Sequence, residues 1–109
     1  IRYPVASAAR PSLSDLRLAA HEFVHAWIVK RVRPERLGPF DYAAPVRVRD
    51  LWLCEGVTDY YSPRLLVAAG IAGADFWRGY VAEQCTLLQN NPARRKVTLE
   101  DASLKVWEA

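Results

Sequence analysis

Apolar residues recur at spacings of three and four along much of this 109-residue chain, and that period predicts helices rather than strands. The first set is Leu16, Ala19, Ala20, Phe23, Val24, Trp27, Ile28 and Val32. Ser12 stands ahead of it with Asp15 three residues on, the pairing of a capping box. Pro34 stops the pattern, because its ring pushes Arg33 out of the helical region. A first helix is therefore expected from the Ser12 cap to about Val32.

A second helix opens after Asp50, a residue type suited to an N-cap, and carries Leu51, Trp52, Cys54, Glu55, Val57, Tyr60 and Tyr61. Pro63 either kinks it or restarts it. The apolar run from Leu65 to Ala69 closes at Gly70, a fitting C-terminal cap. A third helix is expected from about Ala74 to Gln89, with Phe76, Trp77, Tyr80, Val81, Leu87 and Leu88 as its apolar side. Thr98 and Asp101 form a second capping box, so a short fourth helix should reach about Trp107. Between them, residues 34–48 hold Pro34, Gly38, Pro39 and Pro45 and read as a structured loop. The first dozen residues, with Pro4 and Pro11, read as extended or irregular, and any strand is confined there. The expected fold is mainly α, with about four helices.

Composition narrows the class. Half the residues are hydrophobic and a quarter charged, which is globular and not disordered. The length suits one domain or part of one, and Ile1 at the start suggests a piece of a longer protein. The apolar stretches are too short to span a bilayer, and no leader pattern is visible. The compartment stays open: a bacterial protein, cytoplasmic or exported. The net charge of +3 gathers at Lys30, Arg31, Arg33 and Arg36 and again at Arg94, Arg95 and Lys96. No nucleic-acid motif accompanies these clusters, so they read as solvated helix ends and no nucleic-acid partner is expected. Cys54 and Cys85 are too far apart for a cysteine-based zinc site. They read as two small buried side chains, with a disulfide left open for an oxidising compartment. The four tryptophans read as core aromatics.

The chemistry lies in His21-Glu22-Phe23-Val24-His25, which holds both histidines of the chain. A spacing of four puts both imidazoles on one helix face with Cβ atoms about 6 Å apart, so two nitrogens can reach one metal. Glu22, one step round, can take a proton from a water at that metal. Polar groups among so many apolar neighbours need a partner, and a zinc ion would satisfy them. Catalytic zinc takes three protein ligands and an open position. With no third histidine, the third ligand should be a carboxylate. Glu55 stands out because it lies within the apolar stretch Leu51-Trp52-Leu53-Cys54 and Gly56-Val57, where a buried carboxylate needs a partner. Asp59, four residues on, shares its face and is placed to accept the other N–H of His21 or His25. An exposed helical aspartate is the plainer alternative.

These residues resemble the glycyl aminopeptidase family of zinc metallopeptidases. The likeness runs through His21-Glu22-Phe23-Val24-His25-Ala26-Trp27, Leu37-Gly38-Pro39-Phe40-Asp41-Tyr42, Leu51 to Tyr61 and Val97 to Trp107. It implies a gluzincin site, with His21, His25 and Glu55 holding Zn2+ and Glu22 as general base. It implies that residues 1–109 are part of a thermolysin-like metallopeptidase catalytic domain, the helical part that binds the zinc. It implies a peptide substrate cleaved at its N-terminus. The parent's upstream sheet, a downstream segment and a PDZ domain would then lie outside this chain. A non-catalytic, metal-binding or interaction fragment is the alternative.

Overall fold

The computed structural model describes residues 10–108. Four α-helices follow in order: α1 (Leu13–Val24), α2 (Leu51–Ala68), α3 (Ala74–Asn90) and α4 (Leu99–Leu104). Short 3-10 turns lie at Glu35–Leu37, Pro92–Arg95 and Val106–Glu108. Among the described residues there is no β-strand, only an isolated bridge between Ile28 and Val32. The extended stretch expected around Pro4 lies outside the described residues. None of the described helices is long and apolar enough to cross a membrane.

α2 is the hub: it packs along α1 and also against α3 and α4. Its inner side is built from Cys54, Thr58, Ser62, Pro63 and Leu66, all buried. Two of these are polar and pair with their own backbone. The Thr58 hydroxyl donates to the Cys54 carbonyl at 2.8 Å, and the Ser62 hydroxyl to the Asp59 carbonyl at 3.2 Å. The second bond explains how α2 runs unbroken through Pro63. Proline has no N–H to return to the carbonyl four residues back, and Ser62 supplies the donor in its place.

The start of α1 follows the capping-box expectation. Ser12 Oγ accepts the Asp15 amide at 3.1 Å, and the Asp15 carboxylate accepts the Ser12 amide at 2.8 Å. The Ser12 side chain and then its backbone hold the Asp15 carboxyl below its usual value. A depressed carboxyl stabilises the fold above its unfolded value, about 3.9, and that contribution is lost as pH falls through the folded one. Asp15→Asn should therefore flatten the acid limb of the stability curve below about pH 4, read by thermal unfolding across pH.

The end of α1 departs from expectation. The helix stops at Val24, eight residues short of Val32. Trp27 N–H bonds back to Val24 O at 2.9 Å in a tighter turn, and Val29 takes a left-handed φ of 85°. That reverses the chain so that Val29 N–H meets Val32 O at 2.7 Å. The Arg33 guanidinium caps the Lys30 carbonyl at 2.8 Å. Positive φ is costly for a β-branched residue, so the surrounding bonds hold it there.

The start of α2 corrects another reading. Asp50 occupies the N-cap position but its side chain makes no capping bond. The Trp52 amide is instead capped at 2.9 Å by Ser103 Oγ from α4, whose own proton goes to Leu99 O at 2.9 Å. Ser103 is buried, so Ser103→Ala leaves the Trp52 N–H without its acceptor. The expected cost is about 1–3 kcal/mol, measurable by urea unfolding.

Two core assignments are also corrected. Trp27, Trp52 and Trp107 are 46%, 41% and 59% exposed, and only Trp77 is half-buried. α2 is apolar on more sides than α1, α3 and α4 cover, so its outward Tyr60 and Tyr61 pair with each other, and Tyr60 also meets Trp77 of α3. Cys54 is buried as expected, but Cys85 is exposed, in the second half of α3 where the described residues from Ala82 to Asn90 all lie at the surface. Both thiols are free.

Candidate metal centre

α1 and α2 meet along the faces that carry the chemistry. His21 stands in the last turn of α1 and His25 caps its C-terminal end, with their rings edge-to-face and centroids 4.8 Å apart. Their Nε2 atoms face each other at 3.1 Å. Glu55 enters from α2, with Oε2 at 3.2 Å from His21 Nε2 and 3.5 Å from His25 Nε2. Among the described residues, this is the one group of His, Cys, Asp and Glu side chains gathered closely enough to hold a metal ion.

The other ring nitrogens fix the proton pattern. His21 Nδ1 lies 2.8 Å from Asp59 Oδ1, and a carboxylate accepts, so that nitrogen is assigned the hydrogen. His25 Nδ1 lies 3.2 Å from the Ile28 carbonyl, which can only accept, and is assigned likewise. Both Nε2 lone pairs then point at each other and at the Glu55 oxygen. Three acceptors converge with no donor among them. A single proton bridges one pair and leaves the third unsatisfied, whereas a metal ion satisfies all three. Their spacings of 3.1, 3.2 and 3.5 Å match the edge of a tetrahedron around zinc, about 3.4 Å for bonds of about 2.1 Å. The donor set therefore fits a zinc ion.

Burial differs from expectation at one member. The two imidazoles are 13% and 20% exposed, but the Glu55 side chain is 46% exposed. Glu55 belongs to an apolar stretch, yet its carboxylate stays half open while the two imidazoles beside it are covered. Glu22 is exposed, and among the described residues its carboxylate makes no hydrogen bond or ion pair. Cys54, next to Glu55, lies outside this group. Burial, then the Glu55 and Asp50 charges, push its thiol up.

The Ile28 carbonyl was not predicted as a partner. It reaches His25 only because the chain folds back after α1, and no side-chain pattern announces that. Arg17 was also passed over, although it stands four residues before His21 and so shares its face. Its Nη1 lies 3.4 Å from Asp59 Oδ1.

No curated protein and no solved structure matches this chain. The family model described as M61 glycyl aminopeptidase matches residues 14–109, a span that takes in α1 from its second residue, α2 through α4 and every residue of the site. This chain, with its paired histidines at the end of α1 and its carboxylates on α2, belongs to the M61 glycyl aminopeptidase family of peptidases.

Proposed function

We propose that the chain is the zinc-holding core of a metallopeptidase that cleaves residues from peptide N-termini. The reading rests first on the three acceptor atoms of His21, His25 and Glu55, which converge without a proton donor. Family membership supports peptide hydrolysis and an aminopeptidase preference. Zinc held by these three residues supplies a Lewis acid for the scissile carbonyl and makes a water acidic near neutral pH.

Glu22 is the general base. Its free carboxylate takes the proton of the attacking water and gives it to the leaving amine. Asp59 and the Ile28 carbonyl hold the two imidazoles in the tautomer that presents Nε2 to the metal. The half-open side at Glu55 leaves room for a peptide to approach. Peptide is the partner; nucleic acid is not.

The test is metal analysis of the purified chain beside an assay on short peptides. Stoichiometric zinc with release of N-terminal residues is the expected result. Zinc bound without turnover would favour the alternative, a metal-binding fragment, and a chain that takes up no zinc would sink the metal-centre reading.

A further inference from the structure

Asp59 Oδ1 serves two cations or donors at once: it lies 2.8 Å from His21 Nδ1 and 3.4 Å from Arg17 Nη1. Arg17 and His21 are one turn apart on α1, so both reach the same oxygen from one face. The Arg17 guanidinium in turn lies over the Tyr80 ring of α3, 5.0 Å from its centroid. Burial first, and then the Asp59 charge, push the Tyr80 phenol up, which sets that neutral ring beside the same carboxylate. Asp59 is thus where α1, α2 and α3 converge.

An orienting carboxylate needs only its own acceptor to serve a histidine. This one is 45% exposed, so water competes for it and its side chain has freedom to turn. Arg17 is better covered, at 24%, and is stacked on an aromatic face that restrains its long side chain. A restrained cation against a looser carboxylate sets where the carboxylate sits. Resting on the metal-centre reading above, we propose that Arg17 is a positioning residue for the metal ligand His21. It acts through Asp59 and is itself held by Tyr80. The ring on α3 fixes the guanidinium, the guanidinium fixes the carboxylate, and the carboxylate fixes the imidazole with Nε2 toward His25 and Glu55. The plainer role for Arg17 would be to tie α1 to α3 by stacking, with no effect on metal.

Zinc affinity of this chain, measured by competition with a chromogenic chelator, separates these roles. Asp59→Asn should weaken zinc by about 10–100-fold, the usual loss for a ligand's orienting partner. Arg17→Met keeps the stem and removes the charge, and should weaken zinc by about threefold to tenfold. In the Asp59→Asn background the same Arg17 change should cost less than about twofold, because the group it acts through is gone. Arg17→Lys should recover most of the affinity. Should the Met variant fail to fold, Arg17→Gln repeats the test with a planar uncharged head. Unchanged affinity in Arg17→Met, or an equal loss in both backgrounds, would overturn the proposal. If the unaltered chain binds no zinc, the metal-centre reading falls and takes this with it. If it binds zinc and the Arg17 variants are indifferent, this inference alone falls.

Discussion

Replacing Glu22 with Gln is expected to lower peptide turnover by about 10²–10⁴-fold, the range for removing a general base, in a chain that still binds zinc. The amide has nearly the same shape but cannot accept the proton. Two observations separate this effect from damage to the fold or the metal. Glu22 is exposed, and among the described residues no hydrogen bond or ion pair depends on it. It also stands outside the His21, His25 and Glu55 group. Zinc content and unfolding midpoint should therefore match the parent while release of the N-terminal residue falls. A variant within a few-fold of the parent in turnover would remove Glu22 from the mechanism. A variant that lost its zinc would make Glu22 part of the metal's support.

Glu55→Ala should have the opposite signature. Binding of zinc at protein sites releases about 10–16 kcal/mol, so one protein ligand of three carries roughly 3–5 kcal/mol. Its loss should weaken zinc on the order of 10²–10⁴-fold. The metal-free fold should be nearly indifferent. Glu55 is half exposed, so without metal a proton shared with one imidazole adds little to stability. Chelator competition reads the affinity, and urea unfolding of the metal-free chain reads the fold. Loss of the metal-free fold together with zinc would mean that Glu55 is structural. Retention of full affinity would mean that the third ligand lies elsewhere.

Helices with an unambiguous boundary were legible residue by residue. α3 ends one residue beyond the expected Gln89, where Asn91 and Pro92 stop it, and α2 runs from Leu51 to Ala68 as its apolar pattern and Gly70 suggest. α1 was overrun because Trp27, Ile28 and Val32 keep the helical spacing inside a reversing turn. The reversal is carried by a valine, where a glycine would have announced it. Of the site, the His21–His25 spacing and the Glu55–Asp59 spacing were legible, since a helix turns spacing into a shared face. How deeply Glu55 is buried was not legible. A residue's own helix says nothing of what covers it, and here the Glu55 side chain is 46% exposed. Ser103 as the cap of α2 and the Ile28 carbonyl beside His25 were invisible for a related reason: each depends on two segments meeting in space.

Val29 gives the loop after α1 a mechanical meaning. The left-handed kink holds the Ile28 carbonyl under His25 Nδ1, so the peptide plane at Ile28 works as a crank between loop and imidazole. Turning the Ile28–Val29 peptide plane, which would relax Val29 out of its left-handed φ, would swing that carbonyl away and free the ring, while His21, anchored by Asp59 on α2, would keep its aim. The two histidines are therefore unequal: one is braced against another helix, and the other takes its bearing from a spring loaded by a single β-branched residue.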